Sequence, residues 1–304
     1  MYFTELPDHT KAGFDERAHY SNFKKHNIIF NAVSNSSACD RHVGCLSFKT
    51  VLTGEEVYRF GHREVAVRPG NFLMLNDEQE YGCYIENGEP TRTLSVFFKK
   101  EFALTVLENA SHHESVLLDN YGYSGNSMPE FFQTLNAFDS TLQLQIAHLI
   151  SSLNIAGNDA RMVDEKLVFL LDHLINIQQT HYARLEKVHA LRVSTRKEIY
   201  RRLCVAKDYL HYTYHENPDL SMVSQAACLS VPQLVRQFKA VFGVTTHRYL
   251  NQLRLRHAAE LLACTHLPIY EITWKCGFED ISAFSRAFKI EFGKQPTDYR
   301  KLFS

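Results

Sequence analysis

Two fourteen-residue stretches of this chain repeat one another at an offset of fifty positions. Residues 236–249 read RQFKAVFGVTTHRY and residues 286–299 read RAFKIEFGKQPTDY. Both fit Arg-x-Phe-Lys-x-x-Phe-Gly-x5-Tyr. Arg236 pairs with Arg286, Phe238 with Phe288, Lys239 with Lys289, Phe242 with Phe292, Gly243 with Gly293 and Tyr249 with Tyr299. Six identities in one register, aromatics and glycine among them, mean that one structural unit has been used twice. A chain built this way must fold its last third around two copies of the same small motif.

The flanking residues say what the motif is. In the first copy Ser221 is placed to cap a short helix running through Ala227, and Ser230 to cap a second one, with Pro232 tolerated in its first turn. In the second copy Ile269, Ile272 and Trp274 lie on the first helix, Gly277 sits in the turn and Asp280 caps the second helix. A short helix, a tight turn and a second helix make a helix-turn-helix. Leu234, Phe238 and Val241 are expected to face the core of the first unit, and Phe284 and Phe288 that of the second. Gly243 and Gly293 are expected to cap the second helices at their C-terminal ends. A connecting helix over roughly Thr246 to Cys264 carries Tyr249, Leu250, Leu253, Leu261 and Leu262. At 1.5 Å per residue it spans roughly 27 Å, so it can hold two helices about one DNA turn apart.

That packing leaves an outward face on each second helix. The first presents Gln233, Arg236 and Gln237, with Pro232 and Val235 beside them. The second presents Ser282, Ser285 and Arg286, with Ile281 at its start. Arginine reads guanine with two hydrogen bonds, glutamine reads adenine, and apolar groups touch the thymine methyl. Lys239, Arg248, Lys289, Lys294 and Arg300 are placed to meet phosphates. For Arg254 and Arg256, on the connecting helix, intramolecular salt links are expected instead.

Charge supports a polyanionic partner. The whole chain has a net charge of −1, but Arg192 to Ser304 holds 17 basic and 10 acidic residues, and the remainder 16 basic and 24 acidic. A basic C-terminal part is thus joined to an acidic N-terminal part, and clustered basic charge is the footprint of nucleic-acid binding.

Upstream, the period changes twice. From about residue 27 to 100 short apolar or alternating runs (Phe48 to Leu52, Val57 to Phe60, Val65 to Val67, Phe72 to Leu75) are separated by turn signals at Thr53-Gly54-Glu55-Glu56, Gly61-His62-Arg63 and Pro69-Gly70, which predicts a small barrel or sandwich. From about 129 to 190 the period is helical. Leu142, Ile146, Leu149, Ile150 and Leu153 share one face; after Gly157-Asn158, so do Val163, Leu167, Leu170, Leu171 and Leu174. These helices either pack on the β domain or pair two subunits. Thr195-x-x-Glu198 is a capping-box pattern opening a third zone, whose first helix is expected to end at Asn217-Pro218.

The C-terminal residues resemble the AraC/XylS family of bacterial transcriptional regulators. The marks are Leu220-Ser221, Ala226-Ala227, Arg254-Leu255-x-x-Ala258, Ile272, Gly277-Phe278, Ser285-Arg286-x-Phe288-Lys289, Phe292-Gly293 and Pro296-x-x-Tyr299-Arg300. The resemblance covers about Thr195 to Leu302. It implies a seven-helix DNA-binding domain with Pro232, Gln233, Val235 and Arg236 at the first set of base-reading positions and Ile281, Ser282, Ser285 and Arg286 at the second. Val235 stands where a small polar residue is common, and Pro232 where a larger side chain often reaches the groove. The N-terminal zone is similar to the cupin-type barrel often attached to such domains, through Leu52-Thr53-Gly54 and Arg68-Pro69-Gly70-Asn71. It lacks the His-x-His of metal-binding cupins, and Tyr81 falls where their later His would.

The expected architecture is therefore α+β: a cupin-like, effector-binding domain over 1–127, a helical dimerisation or linker segment over 128–192, and an all-α DNA-binding domain over 193–304. The expected partners are double-stranded DNA, a small-molecule effector, RNA polymerase and a second copy of the chain. No catalytic role, cofactor or metal is expected. A thiol or metal sensor built on Cys39-x-x-His42-x-x-Cys45 with Cys83 is the main rival, but on a regular strand His42 points away from Cys39 and Cys45. A cupin-type enzyme with a DNA-binding tail is a second rival, which the missing metal ligands disfavour, and a barrel that meets a partner protein instead of a small molecule is a third. No secretory signal and no membrane span are expected, which places the protein in the cytoplasm, on the nucleoid.

Overall fold

In the computed structural model residues 1–7, 16–86, 88, 90–113, 128, 130–155 and 160–303 are described. The chain divides into two compact units, Met1–Ala183 and Arg184–Ser304.

The first unit contains strands β1 (Tyr2–Phe3), β2 (Ile28–Ser34), β3 (Ser37–Val43), β4 (Ser47–Thr53), β5 (Glu56–Phe60), β6 (Arg63–Val67), β7 (Asn71–Leu75), β8 (Glu80–Ile85), β9 (Thr91–Phe97) and β10 (Asn136–Ala137). Its helices are α1 (Glu16–Lys25), α2 (Lys100–His113), α3 (Ser140–Ile155) and α4 (Ala160–Leu185), the last of which runs into the second unit. The strands form two sheets, ordered β1-β2-β9-β4-β7-β10 and β3-β8-β5-β6. The expected closed barrel is thus two sheets whose described pairings do not close. The turn signals hold, with Gly54, Gly61 and Gly70 at φ of +76°, +60° and +79°, a region glycine enters without steric cost.

Alternation along the strands gives the larger sheet two different faces. Phe48, Phe72, Met74, Leu94 and Val96 join Ala103, Val106 and Leu107 of α2, Leu142, Ile146, Leu149 and Leu153 of α3, and Leu167, Leu170, Leu171 and Leu174 of α4 in one apolar core. The periodic residues of α3 and α4 are therefore core residues packed on the β domain. Gly157-Asn158, expected to separate these helices, lies outside the described residues. The intervening strand positions, Lys49 on β4 and Ser95 and Phe97 on β9, line a cavity together with residues of the smaller sheet.

The second unit holds seven helices among the described residues: α5 (Val193–Tyr212), α6 (Leu220–Ala226), α7 (Val231–Phe242), α8 (Thr246–Cys264), α9 (Ile269–Lys275), α10 (Ile281–Phe292) and α11 (Pro296–Arg300). Both α7 and α10 pack on α8. Three local expectations are corrected. Helix α5 begins at Val193 with Arg192 in the N-cap position, so Thr195 lies inside the first turn and caps nothing. It ends at Tyr212, five residues before Asn217. Helix α6 is capped by Asp219, whose carboxylate accepts from the Met222 amide, and not by Ser221: an aspartate one residue earlier supplies the same oxygen plus a charge that favours a helix N-terminus.

Candidate functional site

The repeated residues turn out to be the scaffold of each helix-turn-helix. Phe238 and Phe242 have ring centroids 4.6 Å apart, and Phe288 and Phe292 4.5 Å. Tyr249 meets Phe238 edge-on at 5.6 Å, as Tyr299 meets Phe288 at 5.3 Å. Gly243 and Gly293 cap their helices in the left-handed region, at φ of +77° and +74°. Leu234, Phe238, Val241, Phe284 and Phe288 are buried as expected. The aromatic triad and glycine recur because the same corner must be built twice. Asp280 caps α10, accepting from the amides of Ser282 and Ala283. Ser230 occupies the N-cap position of α7 without a side-chain hydrogen bond, and Pro232 follows in the first turn.

The opposite faces are open. On α7, Pro232, Val235, Arg236 and Lys239 are exposed and Gln233 half-buried. On α10, Ile281, Ser282, Arg286 and Lys289 are exposed and Ser285 half-buried. Arg236 and Arg286 have no carboxylate partner among the described residues, so both guanidiniums are available to an external acceptor.

Gln237 is different, and its expected outward placement is corrected. It is 1% exposed. Its Nε2 donates to the carbonyl of His189 at 3.2 Å, and its Oε1 accepts from the His189 amide at 3.1 Å. Positions 234, 237, 238 and 241 form an i, i+3, i+4, i+7 stripe, the apolar stripe of a packed helix. Gln237 sits on that stripe, and its amide is satisfied by backbone.

Arg254 also turns inward. Its Nε donates to the Tyr214 carbonyl at 2.7 Å, and an η nitrogen donates to the Glu216 carbonyl at 2.6 Å and to Asn217 Oδ1 at 2.8 Å. It ties the loop after α5 to α8 through carbonyls and an amide oxygen, which corrects the expected salt link at this position: neutral acceptors take the place of a carboxylate.

In the first unit, the cavity between strands of the two sheets has a volume of about 70 Å³ and is lined by Cys39, His42, Lys49, Glu56, Tyr58, Tyr81 and Cys83 among others. A bulge brings Cys39 and His42 to the same side. Cys39 pairs with Cys83 and His42 with Tyr81, so one extra residue on β3 opposes β8. The expectation that His42 points away from Cys39 is thereby corrected. Gly82 permits the bulge, because a Cβ there would stand 2.8 Å from the Asp40 carbonyl oxygen. No group of three or more His, Cys, Asp or Glu side chains able to hold a metal occurs among the described residues. Burial pushes the thiol of Cys45 up to about 12 and that of Cys83 higher still, away from the thiolate that metals and oxidants require.

Two residues of this cavity were not singled out in the sequence. Lys49 is 3% exposed and Glu56 6%. The Lys49 ammonium lies 3.5 Å from the centroid of the Phe97 ring, and burial lowers its pKa to about 8. Burial raises that of Glu56, whose carboxyl stands beside Tyr58 and Cys83. A charged residue on a half-buried strand reads as solvent-facing; only the second sheet makes this face an interior.

Comparison with known proteins agrees with both halves. The AraC-like ligand binding domain family matches residues 48–175, and a helix-turn-helix domain family matches residues 223–302. The transcriptional activator RhaS of Escherichia coli is 36% identical over 100 residues, 33% of this chain and 36% of its own length, so that match spans about a third of the relative. RhaS of an Enterobacter species is 27% identical over 83% of this chain and 97% of its own. The C-terminal domain of AraT from Geobacillus stearothermophilus aligns over 33% of this chain and 84% of its own at 31% identity, with a TM-score of 0.32. No helix among the described residues is long and apolar enough to cross a membrane. The two matches together place the chain in the AraC/XylS family, with an AraC-like ligand binding domain followed by a helix-turn-helix domain that holds two such units.

Proposed function

We propose that the protein reads two successive major-groove segments of a promoter through α7 and α10. Pro232, Gln233, Val235 and Arg236 face the bases of the first segment, and Ile281, Ser282, Ser285 and Arg286 those of the second. Lys239 and Lys289 grip phosphate. The observation that carries this reading is the pair of exposed, uncommitted arginines, Arg236 and Arg286, at one register of a twice-built scaffold. Gln237 is left out because its amide is already used.

The functional division is 1–127 for effector binding, 128–192 for the helical segment and 193–304 for DNA. An effector held between the sheets of the first unit alters how the reading helices meet DNA, and the occupied promoter recruits or blocks RNA polymerase. Two chains pair through the outward face of α3 and α4, where Leu144, Val168 and Phe169 are exposed. The role is regulatory and not enzymatic, and it is exercised in the cytoplasm.

Selection of random duplex DNA on the full chain at about 150 mM salt tests the reading. Enrichment of paired short motifs about one helical turn apart is expected. Enrichment of a single motif means that one unit reads and the other only grips phosphate. Binding without enrichment that vanishes steeply with salt refutes base reading altogether.

A further inference from the structure

The inner face of the first unit is more polar than folding requires. A buried charge costs several kcal/mol unless it is paired and hydrogen-bonded. Lys49 and Glu56 attract one another electrostatically, yet no ion pair within 4 Å joins them. Lys49 has no hydrogen-bond or ion-pair partner among the described residues, and its ammonium rests on the Phe97 ring. Glu56 Oε2 is buried and finds no protein hydrogen-bond partner. Both side chains line the same cavity, beside Tyr58, Tyr81 and Phe97. A donor without a partner and an acceptor oxygen without a partner are therefore presented to one cavity. Apolar residues of similar size would stabilise the fold better, so the pair is kept for what it binds.

Resting on the reading of this unit as the effector site, we propose that the effector is a small, net-neutral polar molecule that accepts a hydrogen bond from Lys49 and donates one to Glu56. Net neutrality follows from the balance of the site. Lys49 and Glu56 set one cation and one anion against the cavity, so an anionic or cationic guest leaves an uncompensated charge among buried groups. Small size follows from the cavity of about 70 Å³, well under the few hundred Å³ of a drug-sized pocket. Aromatic rings at Phe23, Phe30 and Phe97 give the guest an apolar flank. An uncharged polyol and a zwitterionic amino acid share this chemistry.

The test uses the full-length chain and four probes of matched size: glycerol, serine, lactate and ethanolamine. Thermal unfolding and titration calorimetry are followed for wild type and for the double variant Lys49→Met/Glu56→Gln. A saturable rise in Tm with glycerol or serine, none with lactate or ethanolamine, and loss of the rise in the double variant are expected. Which of the two neutral probes binds separates a polyol from a zwitterion. Glycerol also stabilises proteins by exclusion from their surfaces, but that rise does not saturate and survives in the double variant. Tighter binding of lactate or ethanolamine overturns the proposal, as does no saturable binding by either neutral probe. Without any probe, the double variant is expected to melt at or above the wild-type temperature; a fall of several degrees makes the pair structural and also overturns the proposal. Operator affinity, measured with and without the probe, separates this assignment from the effector reading. A neutral probe that binds but leaves operator affinity unchanged defeats effector control and not the ligand class. A charged probe that binds and alters operator affinity does the reverse.

Discussion

Gly243 and Gly277 share a backbone conformation and differ in what surrounds them. Their φ angles are +77° and +78°. A Cβ on Gly243 meets nothing within 4 Å, whereas one on Gly277 stands 2.8 Å from the Tyr214 carbonyl oxygen and 2.9 Å from the Arg254 guanidinium. The left-handed conformation alone costs an L-residue about 1–2 kcal/mol. Gly243→Ala should therefore cost about 1 kcal/mol, and Gly277→Ala about 3 kcal/mol, since it also pushes on backbone and on the Arg254 hydrogen bonds. Chemical denaturation of the two variants checks this, and equal losses would show that conformation, not space, selects glycine at both sites. Lys49 offers a second prediction at this scale. Its folded pKa of about 8 lies below the ordinary lysine value of 10.5, so between those values the native state binds fewer protons than the unfolded one. Stability contributed through Lys49 therefore rises with pH across that window. Wild type should gain about 2 kcal/mol on Lys49→Met between pH 7 and 9.5, at 1.36 kcal/mol per pH unit above 8. A flat difference would mean that Lys49 is not buried as a cation.

Within the helix-turn-helix units, the scaffold and the reading face can be separated by mutation. Asp280→Ala removes the side-chain cap of α10 and should cost about 1 kcal/mol of stability, while Ser230→Ala should cost less, since Ser230 makes no side-chain cap bond to α7. Arg236→Ala and Arg286→Ala should leave stability unchanged and weaken operator binding by about 1–3 kcal/mol each. Operator titrations beside melting curves decide; two variants that bind like wild type would mean that the reading helices are misoriented. The repeat was legible because it is made of large aromatics and left-handed glycines, whose roles depend on a few neighbouring residues. Gln237 was misplaced because its residue type outweighed its position on the apolar stripe. Ser221 and Thr195 were misplaced because several hydroxyl-bearing residues near a helix start satisfy the same pattern, and only the backbone decides among them. The Lys49 and Glu56 pair was illegible for a longer-range reason. Each sits on a strand whose alternation tells which residues share a face, but whether that face is covered depends on the opposite sheet, whose place the alternation of one strand does not reveal.

Pairing of two chains is the prediction that involves the whole molecule. The inward faces of α3 and α4 are spent on the core of the first unit, so a partner can meet only what remains outside. There Leu144 is 61% exposed and Phe169 55%, and Gln145 Nε2 donates to the Phe169 carbonyl at 3.2 Å, which fixes the two helices side by side at that point. Neither side chain belongs to the apolar core. Leu144→Asp/Phe169→Asp therefore places two charges on a surface without opening a cavity, and the monomer's stability should change by less than about 1 kcal/mol. In sedimentation the wild-type chain should run as a dimer and the variant as a monomer. On DNA the consequence is larger, because linking two chains makes the second contact intramolecular at a high effective concentration. The variant should keep its affinity for a single site and lose roughly 100-fold on a tandem or inverted pair. A variant that still sediments as a dimer moves the interface elsewhere. A wild type that is already monomeric leaves each chain to hold its promoter with α7 and α10 alone, and then one chain's two units, not a pair of chains, must account for all of the specificity.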